Sequence, residues 1–251
     1  MPRSARKQSS TGIYHVMLRG INQQDIFEDE EDYLRFLSVV KECKEVCGFE
    51  LYAYCLMTNH VHLLIKVGKE PLELIFKRIG CRYVYWYNLK YRRVGHLFQD
   101  RYRSEAVEDD AYFLTVLRYI IQNPLKAGLE TAPGSYPWSS YRSYQTENDP
   151  FTDTAFPLGM FRCAEDMIRY LNQKYDDSLM DISEKREGVT DGQAREIMRE
   201  VTGCSSPSEY QLFGKKLQKE YAAKLRERKL SFGQIARLTG MSKATIYRAV
   251  E

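Results

Sequence analysis

Two histidines separated by a single residue, His60 and His62 in "NHVHLL", are the first chemistry this sequence offers. The chain has four histidines among 251 residues, so half of them fall at one spot. The surrounding "YCLMTNHVHLLIKV" reads as extended chain, in which residues i and i+2 project from one face. The two imidazoles therefore point together, with Val61 and Leu63 pointing the other way. Converging imidazoles either hold a metal ion or bind an acidic group. A second pair lies in "VLRYIIQNPLKAG", where Tyr119 and Asn123, four residues apart, share a helix face. Brought against the histidines, that face would complete a site. The imidazoles and the Asn123 amide oxygen could ligate Mg²⁺ or Mn²⁺, which polarises a phosphodiester, and the Tyr119 phenolate could attack it. A phenol with a pKa of about 10 needs a nearby cation to ionise, either the metal or Lys126. A phosphotyrosyl link would conserve the phosphodiester energy and permit rejoining without ATP. The plainer alternatives are a packed core histidine pair and a tyrosine no different from the other 18. His15 and His96 stay open between packing and DNA contact.

The elements that must position these residues follow from periodicity. "IYHVMLRG" alternates as a strand, and "EEDYLRFLSVVKECKEVC" spaces Leu34, Leu37 and Val40 as a helix behind an acidic first turn. "ELYAYCLM" and "HVHLLIKV" read as a hairpin turning at Thr58-Asn59. A long helix opens at Pro71, "HLFQDRYRSEAVED" returns as a strand, and the Tyr119 helix closes near Gly128. The order βαββαβ plus a further helix predicts an α+β, ferredoxin-like sheet with helices on one face. Pro137, Pro150 and Pro157 mark a connector after it. The expected division is a catalytic domain over 1–145, a helical connector over 146–190 with a linker at "DISEKREGVT", and an all-helical module over 191–251.

Composition is that of a soluble globular chain, 43% hydrophobic and 28% charged, with no run of about 18 apolar residues. No apolar stretch near the start resembles a signal peptide, so the expectation is a cytoplasmic, nucleoid-associated protein without a membrane partner. Six scattered cysteines suggest reduced thiols, and Cys43 and Cys47 read as packing residues. The net charge of +3 conceals basic ends: residues 210–251 hold ten Lys/Arg against three acids, and residues 1–24 hold four against none. Such ends suit a polyanion, most simply nucleic acid. "CRYVYWYNLKYRR" interleaves aromatics with basic residues as single-strand binders do, with Tyr83, Tyr87 and Tyr91 on a core stripe and DNA contact at Arg92 and Arg93. Arg101 and Arg103, expected on one strand face, and Arg19 are further candidate phosphate contacts, as is Lys126.

Taken together and in this order, "YHVMLRGINQQDIF", "NHVHLL", "GHLFQDRYRS" and "RYIIQNPLKAGL" resemble the HUH single-tyrosine transposases, and most of all the REP-associated tyrosine transposases. The similarity spans roughly residues 13 to 144. It implies a ferredoxin-like catalytic domain that cleaves single-stranded DNA near hairpins through a 5′-phosphotyrosine, with His60 and His62 as metal ligands and Tyr119 as nucleophile. Some relatives use Gln as the third ligand, where Asn123 is one methylene shorter.

"SFGQIARLTGMSKATIYRAV" resembles a helix-turn-helix: Ala236 at the helix crossing, Gly240 in the turn and Ile246 as an apolar anchor. Ser242 would cap the second helix, leaving Ser242, Lys243, Thr245, Tyr247 and Arg248 toward a major groove. The reading is a DNA nicking and joining enzyme that carries a duplex reader and acts as monomer or homodimer. Its rival is a non-catalytic DNA-binding regulator derived from a transposase.

Overall fold

The computed structural model describes residues 7–146, 151–173, 189, 191–204 and 206–250. The chain divides into two compact units, residues 1–180 and 181–251. In the first, β1 (Ile13–Arg19), α1 (Glu30–Cys47), β2 (Glu50–Met57), β3 (His60–Lys66), α2 (Leu72–Lys90), β4 (Arg103–Val107) and α3 (Asp110–Lys126) follow one another. The sheet has the order β2-β3-β1-β4, and every pairing is antiparallel. This is the ferredoxin-like arrangement, with β1 and β3 central.

Local chemistry sets the element ends. Asp29 and Asp32 form a reciprocal capping box on α1, and Gly48 closes that helix at φ 66°, a left-handed conformation that glycine adopts without a side-chain clash. Asp109 caps α3 by accepting a hydrogen bond from the Tyr112 amide at 2.7 Å. The buried stripe of α1 is Phe36, Val39, Val40, Cys43 and Cys47, whereas Leu34 is exposed. The expected Leu34–Leu37 face is thus rotated toward the bulkier Phe36, which meets Phe27 and Tyr83 edge-on.

Alternation in the strands sends side chains into two cores. Tyr14, Val16, Leu18, Val61, Leu63 and Ile65 pack with α1 and α2. Ile13, Leu64, Cys55 and Met57 pack with Phe113, Val116, Leu117, Ile120 and Ile121 of α3. Helices therefore cover both faces of the sheet, not the single face expected, because α3 presents an apolar stripe that only the second face can bury.

The expected connector is partly body. Residues 151–173, with α4 (Ala155–Leu158) and α5 (Ala164–Leu171), pack on the sheet unit. Lys44 pairs with Asp153 at 2.6 Å, and Gln122 of α3 donates to the Leu171 carbonyl at 2.6 Å. The linker read at 181–190 lies almost wholly outside the described residues.

The second unit holds α6 (Asp191–Thr202), α7 (Pro207–Gln211), α8 (Lys215–Glu227), α9 (Phe232–Thr239) and α10 (Lys243–Val250). Its own core joins Ala194, Met198, Tyr210, Leu225, Ile235 and Ile246. No helix among the described residues is long and apolar enough to cross a membrane.

Candidate active site

The hairpin turn at Thr58-Asn59 starts β3 at His60, so the strand register decides which side chains meet. Directly opposed residues share a face. Arg19 of β1 stands opposite His60, Met17 opposite His62, and Arg103 of β4 opposite Met17. That row lies on the face that α3 covers.

Three aromatic nitrogen rings converge there. His60 and His62 have centroids 5.1 Å apart and near-perpendicular planes. His15, from β1, lies 5.1 Å from His62, and its Nε2 is 2.9 Å from His62 Nδ1. The Tyr119 ring stands edge-on at 5.5 Å from His62 and 5.7 Å from His15. Asn123 follows one turn further along α3 and is buried. Lys126, exposed, holds its Nζ 5.2 Å from the centre of the Tyr119 ring.

The hydrogen bonds define what the imidazoles can do. Asn59 donates its Nδ2 to the Gln23 carbonyl at 3.3 Å, which leaves its Oδ1 facing His60 Nδ1 at 2.6 Å. An amide oxygen only accepts, so His60 carries its proton on Nδ1 and Nε2 is its acceptor nitrogen. His62 likewise has its Nδ1 engaged, leaving Nε2 as its remaining nitrogen. Burial pushes His62 well below the usual histidine range, and the neighbouring His60 and His15 push it the same way. Burial alone lowers His15 to about 3. Both rings are neutral at ordinary pH, the state a metal ligand requires.

Among the described residues no group of three or more His, Cys, Asp or Glu side chains could hold a metal ion. The donors expected from the sequence are two imidazoles and the Asn123 amide. They fit a divalent cation in one specific respect: each histidine has its Nδ1 tied to an outer partner, as ligating histidines generally do.

The remaining candidates separate. Arg19 and Arg103 sit on the row of the histidines. Arg101 is exposed ahead of β4 and so does not share a strand face with Arg103. It lines a cleft of about 800 Å³ with Phe76, Tyr85, His96 and Tyr102. Arg92 is exposed just beyond α2, while Arg93 donates to Gln24 at 3.1 Å and covers the Tyr87 ring. Tyr83 and Tyr87 are buried as expected, and Tyr85 is 74% exposed. His15 is the site residue that sequence reasoning left undecided. Its signal was strand parity: once β1 pairs with β3, the odd positions of β1 face the same way as His60 and His62.

In the second unit, Gly240 takes φ 71° between α9 and α10, and Ser242 Oγ accepts from the Thr245 amide at 3.1 Å. Ile246 is buried, while Ser242, Tyr247 and Arg248 are exposed and Thr245 is partly so. The Tyr247 ring stacks on Phe232 at 5.1 Å. Lys243 opens α10, and its side chain lies outside the described residues.

The family of IS200-like transposases matches residues 8–123, a span from just before β1 to Asn123 that contains every member of the cluster except Lys126. A Haemophilus influenzae protein named as a REP-associated tyrosine transposase is 30% identical over 123 residues, covering 44% of this chain and 69% of its own length. The chain belongs to the IS200-like transposases, and within them to the REP-associated tyrosine transposases, so its role is transposase-like DNA processing. A solved REP-associated tyrosine transposase bound to a REP hairpin shares the fold, with a TM-score of 0.54 at 14% identity over 72% of this chain and 96% of that one.

Proposed function

We propose that this chain nicks and transfers single-stranded DNA through a 5′-phosphotyrosine on Tyr119. The observation that carries the reading is the packing of the Tyr119 ring against His62, whose neighbour His60 is oriented through its Nδ1 by the Asn59 amide oxygen. The Tyr119 oxygen attacks a backbone phosphorus, forming the tyrosyl–phosphate bond and breaking the bond to the 3′ oxygen, which leaves as a 3′ hydroxyl. Attack by a 3′ hydroxyl on the tyrosyl phosphate reverses the step and rejoins strands. His60, His62 and Asn123 would hold Mg²⁺ or Mn²⁺, which when bound polarises the phosphodiester and offsets charge on it. Lys126 places its ammonium beside the Tyr119 ring, within reach of the phosphate that the tyrosine attacks. Arg19 and Arg103, on the same row, grip the phosphates that flank the cut.

The hairpin in the solved relative supports a hairpin-bearing single strand as substrate. The second unit would read duplex DNA through α10, which Gly240 and the Ser242 cap orient away from α9. Incubation with a labelled hairpin-bearing single strand and Mg²⁺ or Mn²⁺ tests the proposal. A protein–DNA adduct that survives denaturing electrophoresis is the expected result. Tight binding with no adduct under any metal condition would favour a non-catalytic regulator instead.

A further inference from the structure

The structure assigns His15 as a positioning residue: its imidazole accepts the Nδ1 proton of His62 and thereby aims the His62 Nε2 lone pair at the cation site. The inference rests on the metal-dependent reading of that site and adds a residue to it.

The two histidines of the "NHVHLL" motif are oriented by different means. His60 is fixed by the Asn59 amide oxygen, its neighbour in sequence. His62 is buried and has no such local partner; its Nδ1 meets His15 Nε2 at 2.9 Å, from a residue 47 positions away on another strand. Between two neutral imidazoles only one can donate. If His15 donates, His62 carries its proton on Nε2 and has no lone pair for a cation. If His62 donates, its Nε2 is free to ligate, and His15 carries its proton on Nδ1. That Nδ1 is buried without a hydrogen-bond partner. Cation binding therefore selects the second arrangement, and His15 is the acceptor that makes it available. The placement is not incidental packing. His15 is fully buried and also lies edge-on to Tyr119, so one ring braces both the ligand and the attacking group.

Two substitutions separate the hydrogen bond from the packing. His15→Phe keeps a ring in the core and removes the acceptor. His15→Gln places an amide at similar reach, able to accept from His62. Mn²⁺ affinity of the full chain, measured by calorimetry without DNA, should fall about 10- to 100-fold in His15→Phe and only a few-fold in His15→Gln. The Co²⁺ visible spectrum, which reports nitrogen ligation, should shift in His15→Phe and stay close to wild type in His15→Gln. Equal Mn²⁺ affinity in wild type and a folded His15→Phe would overturn the assignment and leave the metal site standing. Equal losses in both variants would overturn the hydrogen-bond account in favour of ring packing. Should His15→Phe fail to fold, His15→Leu takes its place in the same comparison. No Mn²⁺ or Co²⁺ binding by the wild type would remove the metal reading itself, and the inference with it.

Discussion

Replacing Tyr119 by phenylalanine removes one hydroxyl from a ring that is 1% exposed and wedged edge-on against two histidines. Those ring contacts, and the surrounding Val116 and Ile120, survive the change. What is lost from stability is the hydroxyl's hydrogen bonding, about 0.5–1.5 kcal/mol per bond, where Tyr119→Ala would cost about 3–5 kcal/mol by leaving a cavity. The melting temperature of Tyr119→Phe should thus stay within about 5 °C of wild type. Chemistry has no such margin. With no oxygen on that ring, adduct formation should fall by at least about 10³-fold, equivalent to about 4 kcal/mol or more on the barrier. The assay is a 3′-labelled single strand carrying a hairpin, quenched in denaturant and resolved by electrophoresis, beside a filter-binding measurement of affinity. Tyr112 is the control: it lies two turns earlier on the same helix and is half-buried. Adduct from Tyr119→Phe but not from Tyr112→Phe would move the nucleophile. Adduct from both would refute the tyrosine mechanism.

Alanine at His60 or His62 should abolish cleavage while DNA affinity changes less than about threefold, since phosphate contacts and metal ligation use different groups; full cleavage by the double variant, or by wild type in excess chelator, would sink the metal assignment. Deleting residues 181–251, a unit with its own core, should reduce affinity for hairpin-bearing DNA and flatten its salt dependence while sparing cleavage of short single strands; an unchanged salt slope would mean the basic side chains there only solvate helices. His15 and His62 are both held neutral by burial, with His15 lowered to about 3, so below about pH 6.5 the unfolded chain binds protons that the folded chain refuses. The stability they provide is complete above that pH and is lost as pH falls, by about 1.4 kcal/mol per pH unit for each ring. Metal-free urea titrations between pH 6 and 4 should show it, and His15→Phe should flatten the slope by about one proton; identical slopes would place a charged or exposed imidazole at position 15.

The local elements and the faces shared by His60 with His62 and by Tyr119 with Asn123 were legible in sequence because they depend on short-range patterns. Period-two alternation placed His60 and His62 on one face, the two-residue Thr58-Asn59 turn set where β3 starts, and the i,i+4 spacing put Tyr119 and Asn123 together on α3. The Gly240 turn and the Ser242 cap were likewise local chemistry. What sequence could not decide was which faces meet. Whether α3 joins α1 and α2 or covers the opposite side depends on how much apolar surface each face of the sheet leaves exposed, a property of the assembled sheet. The same holds for Arg101, which leaves the strand face of Arg103 because β4 begins only at Arg103, well after the start its sequence pattern suggests. It holds most of all for His15. Its role depends on the register that sets β1 beside β3, a pairing across 47 residues that no local period encodes, and only that pairing turns an ordinary core histidine into the partner of His62.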